Sequence, residues 1–407
     1  MTEVDDAVAR AHREEWARVV ATLTKRFHDL DVAEEMASEA FAIALERWPV
    51  EGVPPNPGAW LMTTANRRAI DRFRRESRRR DKHKEALMTS SLFESTGVLD
   101  DDRLRLVFTC CHPALSMEAR VALTLRMLGG LSVSEIAHAF LIHEDAMGQR
   151  ITRAKAKIKA AKIPYYTPAR DELPSRLSGV LAVFYLIFNE GYLSSDPSQE
   201  AIRSDLTAEA IRLTRLVHQL LPDDGEVVGL LALMLLTDAR RNARVSMSGE
   251  LVTLEEQDRG AWDWKLIAEG HALIRERLAS GERPGRYQLL AAINAVHTDA
   301  RVVTDTDWSQ IAALYDQLVS LDPSSIVRLN RAVARAELDG PQIALAEIDA
   351  LPLEEYHAFH ATRAHFLRQL GRWNESRAAY DQAIDLAGNT AETKYLIRRR
   401  SELPVGE

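Results

Sequence analysis

The chemistry most legible in this chain is polyanion binding. Residues 65–82, ANRRAIDRFRRESRRRDK, set eight arginines and a lysine against three acids, in a chain of formal net charge -8. A short charge run is usually a solvated helix face; one this long and dense is as good a candidate for a polyanion site. Trp60, Leu61 and Ala65 interleave with Asn66, Arg67, Arg68, Asp71, Arg72 and Arg75. Aromatic and amide groups beside a cationic track suit unpaired bases, which can be stacked and read on their edges once out of the duplex. For Trp60 taken alone, core packing is the stronger expectation.

A second basic element follows LSVSEIAHAF. Ser132 is placed to cap a short helix with Glu135 three residues on, and Ile136, Ala137 and Phe140 face inward. After a turn at 141–143, Met147, Ile151, Ala154 and Ile158 recur at helical spacing. The remaining faces carry Gln149, Arg150, Arg153, Lys155, Lys157 and Lys159. These are the parts of a helix-turn-helix, whose second helix enters the major groove N-terminus first. Gln149, Arg150 and Arg153 are placed for base edges or phosphates, and Lys155, Lys157 and Lys159 for phosphates.

Other reactive groups are sparse. Cys110 and Cys111 are adjacent, a poor geometry for a structural disulfide, and with His112 they lack metal-ligand spacing. In NEGY, Glu190 is a candidate acid, but no second carboxylate or nucleophile is visibly paired with it. Asn189, Glu190 and Tyr192 are therefore expected to lock a helix end and its loop. His271, in DWKLIAEGHALI, is expected to pack in a stripe with Trp264, Ile267 and Ile274. No cofactor and no metal are expected.

The elements that position these groups are helical throughout, and the expected fold class is all-α. Residues 12–28 place Trp16, Val19, Val20, Leu23 and Phe27 on one stripe. Residues 31–48 do the same with Ala33, Met36, Ala40, Phe41, Ala44, Leu45 and Trp48. Asp31 is the expected N-cap of that helix, with Glu34 completing a capping box and Pro49 ending it. Its acids are Asp31, Glu34, Glu35, Glu39 and Glu46. Residues 81–102 read as a polar linker, and the prolines of 163–176 mark a second boundary. Residues 1–162 carry a net charge of +2 and residues 163–407 a net charge of -10. Alternating patches of that kind suit two kinds of partner.

Beyond 176, turns recur at helix-pair distances, as in an α-solenoid. Residues 356–389 place Ala364, Leu367, Gly371, Trp373, Tyr380 and Ala383 in a tetratricopeptide-like pattern, with Ser376 where alanine is usual. Residues 324–351 form a weaker copy that turns at Gly340 and Pro341. No apolar run approaches the ~20 residues of a membrane span. The N-terminus lacks a signal-peptide apolar core. A cytoplasmic protein with no membrane partner is expected.

DVAEEMASEAFAIALERWP, then NPGAWLMTTANRRAIDRFRRE, a linker and a helix-turn-helix together resemble the bacterial extracytoplasmic-function (ECF) sigma factors of the sigma-70 superfamily. LVFTCCHPALSMEARVALTLRMLGGLSVSEIAHAF and FYLIFNEGYLSS are similar to the subgroup with a tetratricopeptide-like C-terminal extension. The resemblance implies a region-two-like domain at 1–80, a linker at 81–102, a region-four-like domain at 103–165 and a helical extension at 166–407, clearest in its repeats at 324–389. It implies two partners, core RNA polymerase and promoter DNA, and no catalysis. Asp31, Glu34, Glu35, Glu39 and Glu46 would dock on polymerase. Trp60, Asn66, Arg67, Arg68, Asp71, Arg72 and Arg75 would engage the minus-ten element, and Gln149 to Lys159 the minus-thirty-five element. An intramolecular contact between the acidic extension and the sigma-like part is a further expectation. The alternative is a helix-turn-helix regulator with a tetratricopeptide sensor that does not serve polymerase as a sigma factor.

Overall fold

The computed structural model describes residues 3–79, 101–140, 142–169, 171–193 and 202–404. Most of the expected linker, 81–100, lies outside the described residues. The chain divides into two compact units, Met1–Leu186 and Ile187–Glu407. The described residues are all-α, with one isolated bridge between Val245 and Leu251.

The first unit opens with α1 (Glu3–Phe27), α2 (Leu30–Glu51) and α3 (Pro57–Arg79), which pack on one another. Trp16, Val19, Val20 and Leu23 of α1 are buried, as are Ala33, Met36, Ala40, Phe41, Ala44 and Trp48 of α2. Leu45 departs from the expected stripe and is 54% exposed. The α2 cap is Asp29, two residues earlier than the sequence suggested. Its backbone is extended, and its Oδ1 accepts the amides of Asp31 at 2.9 Å and Val32 at 3.2 Å. Both aspartates have the right chemistry; the extended backbone at 29 decides between them. Nor does Pro49 end the helix. It sits in the last turn, and the stop is Gly52, at φ 84°, whose N–H donates to the Trp48 carbonyl. Asn56 caps α3 through the Ala59 amide, and Leu61, Ala65 and Ala69 turn one small, apolar face inward.

Four short helices follow: α4 (Asp102–Cys110), α5 (Met117–Met127), α6 (Val133–Ala139) and α7 (Glu144–Ala160). The aspartates at 101 and 102 begin α4 rather than end a linker. Asp101 caps it through the Arg103 amide, and Asp102 pairs with Lys25 at 3.1 Å. Helix α4 packs on α1, and α5 and α6 pack on α7. The N-terminal part of α8 (Leu173–Tyr192) also belongs here: Arg176 donates to the Phe108 carbonyl at 2.9 Å and lies over its ring.

The second unit comprises α9 (Ser204–Leu220), α10 (Gly225–Asp238), α11 (Trp264–Ala279), α12 (Arg286–Asp299), α13 (Trp308–Leu321), α14 (Ser325–Asp339), α15 (Pro341–Ile348), α16 (His357–Gln369), α17 (Trp373–Leu386) and α18 (Thr390–Ser401). Successive helices pair, with α10 packed against α9, α11 and α12. The two expected repeats are the hairpins α14–α15 and α16–α17, turning at Gly340 and Gly371, both at positive φ. Ala364, Leu367, Tyr380 and Ala383 are buried. Trp373 is partly exposed instead of filling the core. Ser376 is fully buried, and its hydroxyl donates to the Ala364 carbonyl at 2.8 Å, so serine replaces alanine at no unsatisfied polar cost. His271 is held by the Thr298 hydroxyl at 2.9 Å, while Trp264 is exposed and Trp262 takes the buried place. Tyr192 stacks on Phe188 and carries the Arg244 guanidinium 3.3 Å above its ring centre, a packing arrangement.

Candidate nucleic-acid interface

The helix-turn-helix forms where its sequence placed it. The Ser132 amide donates to Glu135 Oε2 at 2.7 Å, and the Glu135 amide donates to Ser132 Oγ at 3.1 Å, a complete capping box. Met147, Ile151, Ala154 and Ile158 of α7 are buried. That burial turns Gln149, Arg153 and Lys157 outward to solvent, with Arg150 half-buried. Arg153 also donates to the Gln149 carbonyl at 3.3 Å.

Lys155 and Lys159 point elsewhere. The Lys155 ammonium donates to Asp31 at 2.8 Å and to Glu34, and its side chain is only 10% exposed. Lys159 reaches Asp29 at 3.1 Å. Burial alone would lower the Lys155 pKa, but the carboxylates of Glu34 and Asp31 outweigh it and raise it. At Asp29, burial pushes the carboxyl upward. The Val32 amide, Lys159 and the Asp31 amide overcome that and hold it below the ordinary value.

On α3 two of the arginines pair with the same acidic helix. Arg72 pairs with Glu35, and Arg68 lies 3.6 Å from Glu39. Arg67 and Asp71 are exposed, and Arg75 belongs to the same helix with its side chain outside the described residues. Asn66 has its side-chain oxygen buried with no hydrogen-bond partner among the described residues. Trp60 is half-buried and meets Trp48 edge-on at 5.6 Å, so it is shared between core and surface. Of the five α2 acids expected to dock on polymerase, Glu46 alone is exposed with no ion pair among the described residues.

Four further residues hold this arrangement; periodicity marked only Trp16, as a core residue of α1, and not the bond it makes. Arg126 of α5 pairs with Glu34 and donates to the Leu131 carbonyl at 2.7 Å. The buried indole of Trp16 donates to the Met127 carbonyl at 3.1 Å. Gly130, at φ 74°, leaves no room for a Cβ, which would fall 2.5 Å from the His12 ring and 2.9 Å from that of Trp16. The Tyr165 hydroxyl stands 2.9 Å from the carbonyls of both Ala21 and Asp102. The only available clues were GG after a helix end and a tyrosine pair in a proline-rich stretch. Cys110 and Cys111 are buried free thiols, and no group of metal-ligating side chains occurs among the described residues. No described helix is long and apolar enough to cross a membrane.

Comparison with known proteins agrees with this layout. The family Sigma-70 region 2 matches residues 11–79, spanning α1 to α3. Sigma-70, region 4 matches 105–158, from α4 to α7. A family of unknown function, DUF6596, matches 176–278. An uncharacterized protein of Rhizobium meliloti is 43% identical over 389 residues, covering 93% of this chain and 92% of its own length. The probable ECF RNA polymerase sigma factor SigI of Mycobacterium tuberculosis is 29% identical over 39% of this chain and 56% of its own. The ECF RNA polymerase sigma factor SigK of Mycobacterium ulcerans is 27% identical over 37% of this chain and 82% of its own. No solved structure matches. With both sigma regions in order on the helices that carry the two basic tracks, the chain belongs to the ECF sigma factors of the sigma-70 superfamily, in the form with a helical C-terminal extension.

Proposed function

We propose that this chain binds core RNA polymerase and directs it to promoters by recognising a minus-thirty-five element through α7 and a minus-ten element through α3, where it promotes strand opening. The observation that carries this reading is the joint occurrence of a completed helix-turn-helix and, upstream of it, an arginine-bearing helix packed beside an acidic one. Gln149, Arg150 and Arg153 read or position the duplex. Asn66, Arg67, Arg68, Asp71, Arg72 and Arg75, with Trp60 at their head, meet DNA where it opens; the unpaired oxygen of Asn66 and the half-exposed Trp60 support that assignment. Unstacking a base there costs a few kcal/mol. Asp31, Glu34, Glu35, Glu39 and Glu46 supply the negative face for polymerase. The bond-making chemistry stays with polymerase.

The test is run-off transcription from the chain's own upstream promoter with purified core enzyme. A promoter-dependent transcript is expected. Failure to bind core would instead favour a helix-turn-helix regulator with a tetratricopeptide sensor. We assign the extension a regulatory role, and the same assay on a chain ending at Leu193 gives its sign. A cut near residue 165, the boundary the prolines suggest, would also remove Arg176 from the Phe108 carbonyl and confound the result.

A further inference from the structure

The acidic N-terminal end of α2 is already occupied. Asp29, Asp31 and Glu34 hold Lys159, Lys155 and Arg126, residues 92 to 130 positions away in sequence. The next carboxylate, Glu35, holds Arg72 of α3. Lys155 of α7 and Arg72 of α3 thus bind adjacent residues of one helix, and α3 and α7 flank an element roughly 10–12 Å across. The two promoter elements are separated by roughly 25 base pairs, about 85 Å along B-form DNA. One molecule cannot engage both while Lys155 touches Asp31.

We propose that Asp29, Asp31 and Glu34 form an interaction surface with two alternative basic partners: Arg126, Lys155 and Lys159 of the same chain, or the basic docking surface of core polymerase. This rests on the sigma-factor reading given above. With the internal partner bound, the helix-turn-helix is latched against α1 and α2, and two of the polymerase-docking carboxylates, Asp31 and Glu34, are already ion-paired. Polymerase then competes for the same carboxylates, and its binding frees α7 to travel to its own DNA element. The apparent affinity for polymerase is reduced by the fraction of molecules that are latched. Gly130 and Trp16 are the mechanical seat of the latch, whereas the ion pairs give it its exchangeable partner.

The test uses the full chain with spin labels on Ala42→Cys of α2 and Ala156→Cys of α7, both exposed positions. The native Cys110 and Cys111 are buried and stay unlabelled under native conditions. Pulsed EPR of the otherwise unaltered, labelled chain should give one short distance distribution. Lys155→Met keeps the aliphatic stem and removes the charge, so a second, longer population is expected. Lys155→Arg keeps the charge and should retain the short distance. If Met and Arg variants give the same distribution, the charge is not the latch and the proposal falls. Core polymerase added to the labelled parent should lengthen the distance, a readout that needs no charge variant. Promoter-dependent transcription with the short distance retained would overturn the latch and leave the sigma reading standing. A lengthened distance in Lys155→Met without any transcript would do the reverse.

Discussion

Helices α3 and α7 carry similar basic side chains and both pair with α2, yet the pairs differ in environment. Arg68 and Glu39 are both more than 40% exposed, a setting where an ion pair contributes about 0–1 kcal/mol and salt screens it. Lys155 and Glu34 are 10% and 13% exposed, and Arg126 shares the same carboxylate. Removing one partner there strands charge away from water, which is costly even where the intact pair contributes little net stability. The same composition therefore yields a loose decoration on α3 and a strong constraint on α7.

The largest expected effect comes from Glu34→Ala, which leaves both Lys155 and Arg126 without their shared acceptor. Urea unfolding followed by tryptophan fluorescence should show the first unit losing roughly 3 kcal/mol, against less than about 0.5 kcal/mol for Glu39→Ala. Equal losses would erase the contrast between the two helices. Gly130→Ala comes next, at about 2 kcal/mol, from a disfavoured positive φ and a collision with His12 and Trp16. A neutral result would show that the loop before α6 can shift without cost.

The smallest effect is in the pH dependence. The Asp29 pKa is depressed below 3.8, so its contribution is present above that value and lost as pH falls through the folded-state pKa. The Lys155 pKa is raised above 10.5, so its contribution is present below 10.5 and lost as pH rises through its folded-state value. The label pair on α2 and α7 should therefore hold its short distance across the neutral range and lengthen only at the two extremes. Lengthening near neutrality would mean that a group other than these two controls the contact.

Local features were the ones a sequence could express. The Ser132–Glu135 box, the buried stripe of α7 and the turns at Gly340 and Gly371 each depend on residues a few positions apart. The Asp31 cap failed because Asp29 offers the same chemistry and only its extended backbone distinguishes it. Pro49 failed as a stop because a proline in the last turn costs one hydrogen bond, and the helix can end three residues later on glycine. The bridge from Lys155 to Glu34 spans 121 positions, and nothing in either helix marks it. A basic residue on the hydrophilic face of a helix reads as DNA-facing until the fold supplies another acid. For the candidate site, then, residue types and faces were legible, but their present partners were not.

The adjacent thiols of α4 and the turn after it acquire a use from their burial. Desolvation carries the Cys111 thiol to about 11 and Cys110 well above its ordinary value, so neither offers an appreciable thiolate at neutral pH while the fold is closed. Alkylation must wait for a fluctuation that admits both water and reagent. Its rate is a clock for local opening next to the α1–α4 contact, running in the native sequence without an added probe.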